Sequence, residues 1–393
     1  MEINRMPLVE TLLDRLLDTR ERTEKICEPL QTEDYVVQPV EEVSPPKWHL
    51  AHATWFFEEF ILKPHYPDYR VFHPDFSFLF NSYYEAVGKR VLRPNRGNMS
   101  RPPVADIKAY RQHVTHHLKR LFEDGSDDTL ASLLEIGIQH EQQHQELLLT
   151  DIKYILGHNP LRPAYDPDAG EEHPRLSGPA KWTSVPGGIY DIGYFGNGFC
   201  FDNELGRHQV LLGDFELKTN LETNQSMLDF IADGGYETAS LWHAEGWDWV
   251  RQHQVAAPMY WQRQGGQWQN YTLKGMAPVD PAAPLSHLSF YEAFALAQWM
   301  GCRLPTEFEW EVAQASLHWG LRWEWTQSAY QPYPGYRKAD GALGEYNGKF
   351  MVGQQVLRGA SVATSPGHSR PTYRNFFHPW LRWQYTGLRL ARS

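Results

Sequence analysis

His140-Glu141-Gln142-Gln143-His144 lies inside a stretch, Asp128 to Gly157, that reads as one helix. Two histidines four residues apart stack on one helical face. They fall in a stripe, Leu133, Gly137, His140, His144, Leu147, Asp151, whose spacing alternates four and three. That is the seam of a helix bundle, and both imidazoles take places where a bundle normally buries leucine. A buried imidazole needs a partner, so the pair is either a hydrogen-bonded core feature or part of a metal site between helices. The pair alone fits both equally. The match to the H-E-x-x-H zinc-protease pattern does not extend further. The metzincin continuation needs Gly and His, and here Leu147 and Thr150 stand at those spacings. A third ligand has to come from elsewhere.

Upstream, Pro7 to Cys27 carries Leu8, Leu12, Leu13, Leu16 and Leu17, an amphipathic helix. Ser44-Pro45-Pro46 announces the next one, with Ser44 as the expected N-cap. Its stripe is Trp48, His52, Trp55, Glu59, a seam that again contains a histidine, with His49 one position aside. A third helix is predicted from Val104 to Phe122, with Ile107, Tyr110, Val114, Leu118 and Leu121 on one face. Four helices with one long connection, Lys63 to Pro103, make an up-down bundle, and a connection of that length is usually functional. His52, His140 and His144 then form a three-histidine set from two helices. Three neutral imidazoles leave half an octahedral shell open, which suits a redox metal that binds substrate and dioxygen together. Zinc more often takes a tetrahedral site with a single open position.

The chain has 393 residues, enough for two cores. Its formal net charge of -11 argues against nucleic acid as a partner. Cys27, Cys200 and Cys302 are scattered without a C-x-x-C, which fits a reducing compartment. No signal-peptide pattern opens the sequence and no run has membrane-span length, so cytoplasmic location and no membrane partner are expected. The organisation reads as a bundle over 1–160, a polar, Pro-rich linker over 161–181 and a second domain over 182–393. Most of the 15 Trp and 20 Tyr follow Trp182, in Gly-rich sequence that suits a loop-heavy domain. Short strands dominate there, beginning with Gly187-Gly188-Ile189-Tyr190-Asp191-Ile192-Gly193. Helices are predicted over about Asn224–Asp233 and Ser289–Met300. The fold class is therefore α+β.

Several motifs carry a family likeness. In the second half they are Gly187 to Gly193, then Cys302-Arg303-Leu304-Pro305-Thr306-Glu307-Phe308-Glu309-Trp310-Glu311. Trp323-Glu324-Trp325-Thr326, Leu357-Arg358-Gly359-Ala360-Ser361 and Gly387-Leu388-Arg389-Leu390-Ala391 complete the set. This half resembles the sulfatase-modifying-factor (formylglycine-generating enzyme) type of C-type-lectin-like domain. The first half resembles the DinB-like four-helix bundle. With Trp48-His49-Leu50-Ala51-His52, Asn81-Ser82-Tyr83-Tyr84 and the His140–His144 stretch in this order, the whole chain resembles the ergothioneine-type sulfoxide synthases. The resemblance implies a non-heme Fe(II) on His52, His140 and His144. It implies hercynine (the betaine of histidine), a cysteine-type thiol and dioxygen as substrates, and a sulfoxide product with a new C–S bond on the imidazole ring. Formylglycine-generating enzymes proper use a cysteine pair. Cys200 and Cys302 stand in other contexts, so that activity is not expected.

The remaining site assignments follow from side-chain chemistry and this resemblance. Tyr83 and Tyr84, in the long connection, are the candidate proton or electron donors. Arg93 and Arg96 offer guanidinium forks to the carboxylate of the thiol donor. Gln143, one residue before a ligand, is placed to reach the substrate. In the family a C-terminal loop covers the iron site, and aromatic faces suit a trimethylammonium group. Phe377, Trp380 and Trp383, with Arg382 beside them, are the candidates there. His49, His113, His116 and His117 are assigned structural or solvated roles. One departure stands out. Asn98 and Met99 replace two leucines of the family pattern next to Arg96, so the donor pocket differs. Two alternatives follow: a selenoneine synthase joining hercynine to a seleno-sugar, and a non-catalytic binding protein with a vestigial metal site. The oligomeric state is not legible from the sequence.

Overall fold

The computed structural model describes residues 11–123, 125, 127–170, 172–174, 176, 178, 180–338, 344 and 347–393. The start of the first expected helix, Pro7 to Glu10, lies outside them. Two compact units divide the chain, Met1–Ile155 and Leu156–Ser393.

The first unit contains four long helices. They are α1 (Leu12–Cys27), α2 (Pro46–Phe57), α3 (Val104–Glu123) and α4 (Asp128–Gly157). Thr11 caps α1 through a capping box with Asp14. Every residue of α2 is buried, as its nearly continuous apolar sequence requires of a central helix. Even Lys47 is buried, its ammonium donating to the carbonyls of Met99 and Pro102. Ser44 is not the N-cap, contrary to the sequence reading. Pro45 takes that place. The Ser44 amide instead donates to Asp151, and its hydroxyl accepts from Arg96. A π-helical turn, Glu58–Leu62, continues α2. Glu58 is buried there and accepts from the Tyr69 and Tyr110 hydroxyls at 2.6 and 2.7 Å.

α4 runs as predicted, but it carries a second, more deeply buried stripe, while Leu133, His144 and Leu147 of the histidine stripe are only partly buried. Beside the histidine stripe, Leu134, Ile138, Glu141, Gln145, Leu148 and Ile152 are all buried.

The second unit is rich in short strands. β1 (Trp182–Val185), β2 (Gly188–Ile192), β3 (His208–Leu212) and β4 (Phe215–Lys218) come first. β2 pairs with β3, and β4 lies between β1 and the C-terminal β12 (Ala391–Arg392). β5 (Trp261–Gln264), β6 (Gln267–Thr272) and β7 (Gly275–Pro278) form a meander. The central sheet has the order β10-β9-β8-β11, built on β8 (Arg322–Ala329) and β9 (Gln355–Ala360). β10 is Asn375–Phe377 and β11 is Thr386–Gly387.

Helices cover Asn224–Ala232, Ala244–His253, Phe290–Trp299 and Glu307–Ala313. The second and fourth of these were not predicted from the sequence, although the second packs Trp247, Trp249 and Val250 on the core.

The motifs of this half are largely structural. Glu324 and Arg389, both without exposed side-chain area, pair at 2.7 Å, and the Trp310 indole also donates to Glu324. Glu307 pairs with Arg374 at 2.7 Å. Gly359 has φ +95°, a conformation in which a side chain would meet backbone strain.

The segment read as a linker is bonded to this unit. The Tyr165 amide donates to the Leu273 carbonyl at 2.9 Å, and the Tyr385 hydroxyl donates to Glu172 at 2.6 Å. Its described residues form no helix or strand, yet they are held by these contacts.

Candidate metal centre

His52 comes from the middle of α2, and His140 and His144 from successive turns of α4. One ring nitrogen from each lies within 4.8 Å of the other two. Trp48 stacks on His52 at 4.5 Å and Trp55 at 5.4 Å, while Phe56 stacks on His140 at 4.6 Å. Aromatic rings thus fix the imidazole planes. His52 Nδ1 lies 2.6 Å from the Phe80 carbonyl oxygen. A carbonyl only accepts, so Nδ1 holds the hydrogen and Nε2 holds the lone pair. That Nε2 is buried and has no hydrogen-bond partner among the described residues. Leaving such an acceptor unmet costs about 1–3 kcal/mol, a cost that a metal ion would remove. The three residues therefore fit a metal.

Burial pushes the pKa of all three imidazoles down. It takes His140 to about 3, and the neighbouring histidines lower His52 and His144 further. All three are neutral at pH 7, the form that binds metal. The stability consequence has a definite sign. The unfolded chain takes up protons as pH falls through 6.5, while buried His140 resists until about 3. Stability of the metal-free protein is expected to fall between those values, by up to ~1.4 kcal/mol per pH unit for each such histidine. Urea midpoints at pH 7.0 and 5.5 check this, and equal midpoints would contradict it.

Glu141 is not positioned as the base of a zinc protease. It is fully buried, accepting from Arg111 at 2.9 Å, Arg20 at 3.1 Å and the Thr23 hydroxyl at 2.7 Å. Burial alone would raise its pKa, but the two guanidiniums and the hydroxyl outweigh it and hold the carboxyl down to about 2. It is the hub that ties α1, α3 and α4 together.

The long connection reaches the histidines through Phe80, the partner of His52. Asn81, next in line, staples the following turn. Its side-chain oxygen accepts the Tyr84 amide at 3.0 Å, and its NH2 donates to the Tyr84 and Gly88 carbonyls. Tyr84 is fully buried against Trp55 and Phe60, each at 5.4 Å, and Tyr83 stacks on it at 4.7 Å. Tyr84 is thus one indole ring removed from His52.

Arg96 is buried, with its guanidinium 3.4 Å from the Trp48 ring centroid and bonds to the Ser44 and Ser82 hydroxyls. No carboxylate lies within ion-pair distance of it among the described residues, and its Nε has no partner. Burial lowers its pKa, with Arg93 adding to the effect. An intrinsic pKa above ~12 nonetheless keeps a guanidinium charged at neutral pH. Arg93 is exposed and donates to the Glu42 carbonyl. Gln143 is half-buried on α4.

In the second unit, Trp380 is 39 % exposed and stacks on His378, and Phe377 ends β10, half-buried. Arg382 pairs with Glu292 at 3.0 Å, and Trp383 is buried.

Sequence reasoning gave no part in the site to Glu141, Asn81, His49 or Asp151. His49 is neither solvated nor merely packed. It bonds both Asp151 and His144. The only sequence signal was Asp151 in the histidine stripe, whose partner lies about a hundred residues away.

A DinB superfamily model matches residues 15–148, and a sulfatase-modifying factor enzyme 1-like domain model matches residues 169–320. The chain thus has a DinB-like helical region followed by a β-rich domain of the formylglycine-generating-enzyme, C-type-lectin-like kind. That architecture matches the ergothioneine sulfoxide synthase type. The similarity to hercynine oxygenases runs nearly end to end. The Mycolicibacterium smegmatis protein is 28% identical over 97% of this chain and 98% of its own length. The Mycobacterium tuberculosis protein is 29% identical over 89% and 91%. The formylglycine-generating enzyme of Streptomyces coelicolor is 30% identical over 36% of this chain and 49% of its own. No helix among the described residues is long and apolar enough to cross a membrane.

Proposed function

We propose that this protein is an iron(II)- and oxygen-dependent enzyme acting on hercynine, joining its imidazole carbon to a cysteine-type thiol as a sulfoxide. The observation that carries this reading is the His52, His140 and His144 set, two of them buried, with ring nitrogens within 4.8 Å, in a chain similar throughout to hercynine oxygenases. The overall change breaks the ring C–H and the S–H bond, forms C–S and S–O bonds, consumes one O2 and releases one water. Bound iron would supply oxygen activation and a position for the thiolate. The protein supplies the rest. Burial keeps the imidazoles neutral, and the Phe80 carbonyl holds the His52 proton on Nδ1. Arg96, charged and without an ion-pair partner, serves the donor's carboxylate. Tyr84 holds a transferable proton on its Oη, with Tyr83 stacked behind it. Phe377 and Trp380 keep partly open faces for a trimethylammonium group, whereas Arg382 and Trp383 are engaged within their own unit.

A seleno-sugar donor, giving selenoneine chemistry, is the second reading, favoured by Asn98 and Met99 where the family pattern carries leucines. Anaerobic loading with Fe(II), then oxygen with hercynine and each candidate donor, tests both. A product with the summed mass of hercynine and one donor, plus one oxygen and minus two hydrogens, is expected, and unchanged hercynine with every donor would refute the proposal.

Tyr84→Phe keeps the ring and removes the hydroxyl. It is expected to lower the coupled product and raise the donor's own oxidation product, with metal and hercynine binding nearly unchanged. An unaltered product ratio in the Tyr83/Tyr84 double Phe variant would exclude these phenols as the proton source.

A further inference from the structure

His49 and Asp151 have no role in the function proposed so far, yet they reach the metal centre directly. His49 Nε2 lies 2.9 Å from Asp151 Oδ2, and His49 Nδ1 lies 3.0 Å from His144 Nδ1. His49 and Asp151 are both buried. Two ring nitrogens facing each other at that distance need one hydrogen between them. Which ring supplies it is decided at the far end. The same Asp151 oxygen already accepts the Ser44 amide at 2.8 Å, and a carboxylate only accepts. His49 therefore holds its hydrogen on Nε2. A neutral imidazole has just one, so His49 Nδ1 is the acceptor and His144 Nδ1 the donor. Burial, the largest effect on both rings, keeps them neutral, though Asp151 opposes it at His49.

We infer that His49 and Asp151 are positioning residues that lock the hydrogen of His144 on Nδ1 and leave Nε2 as its lone-pair nitrogen. The Phe80 carbonyl does the same for His52, so the protein sets the tautomer of two of the three candidate ligands before any metal arrives. Such outer partners fix ring orientation as well as the proton. The inference rests on the metal reading of His52, His140 and His144. No proton leaves or enters the relay, so it is a matter of tautomer rather than of titration.

The test uses the full-length, metal-free chain labelled with 15N-histidine, and Co(II) as probe ion. Long-range 1H–15N spectra read which nitrogen of His144 carries hydrogen, and competition with a chromophoric chelator reads affinity. The wild type should show His144 protonated on Nδ1. His49→Leu removes the acceptor. It should give a mixture of His144 tautomers and weaken Co(II) binding about 10- to 100-fold, the range for lost outer partners. His49→Asn puts an amide oxygen close to the position of Nδ1 and should restore most of the affinity. Asp151→Asn retains an acceptor oxygen and should preserve the tautomer.

A His49→Leu protein with unchanged tautomer and unchanged affinity would overturn the inference. So would weakened binding that tracks only a loss of thermal stability and is not rescued by His49→Asn. A wild-type protein that binds no Co(II), while His144 still carries hydrogen on Nδ1, would overturn the metal assignment and not the relay.

Discussion

Replacing His140 with alanine is expected to abolish oxygen-dependent turnover and to lower metal affinity by more than the roughly 100-fold that lost outer partners cost. The ring is almost wholly buried, stacked on Phe56 at 4.6 Å and edge-on to His52 and His144. Its loss leaves two nitrogens where three could hold an ion. The helix should survive, because Leu134, Ile138, Leu148 and Ile152 still bury α4 along its other stripe. Metal content after reconstitution and oxygen uptake with hercynine check this together. A variant that kept both metal and turnover would show that the ion is held elsewhere. Alanine at His52 or His144 should behave alike.

The second large effect is on stability. Glu141→Ala should cost about 3–5 kcal/mol, because it strands the buried Arg20 guanidinium without an ion-pair partner among the described residues and leaves Arg111 only the half-exposed Glu24 at 3.4 Å. Native proteins hold only ~5–15 kcal/mol in reserve, so the first unit is expected to be partly or wholly unfolded at physiological temperature. The acid side follows from the same group. Glu141 titrates near 2 in the folded protein, against an ordinary 4.5. Its contribution is present above that ordinary value and is lost as pH falls from 4.5 towards 2. A Glu141→Ala protein with a wild-type melting curve would mean that the Arg20–Glu141–Arg111 network is not what holds these helices together.

Periodicity made the histidine helix legible to the residue, because Asp128–Gly157 carries an unbroken pattern of its own. The seam shared with Trp48 and Trp55, together with the family motif, which uses the second histidine of His-Leu-Ala-His, distinguished His52 from His49. What periodicity could not show was the second buried stripe. Glu141 and Gln145 are polar, and they are buried only because α1 and α3 bring Arg20, Thr23 and Arg111 to meet them. The His49–Asp151 bond was hidden for the same reason: its partners are 102 residues apart. Ser44 illustrates the converse error. A serine before two prolines is a sound cap by local chemistry, yet tertiary partners, Asp151 and Arg96, claim both its amide and its hydroxyl. In the second half, the Glu324–Arg389 and Glu307–Arg374 pairs explain why motif residues there are charged and buried at once. Sequence could show those motifs but not that they serve packing.

The central claim is that His52, His140 and His144 jointly hold one catalytic metal ion. Anomalous X-ray diffraction from crystals of the full-length protein loaded anaerobically with Fe(II), collected on either side of the iron absorption edge, tests it most directly. One strong peak within bonding distance of an imidazole nitrogen from each of the three residues is expected. A peak bound by other side chains, or no peak between these rings in protein that still converts hercynine, would contradict it.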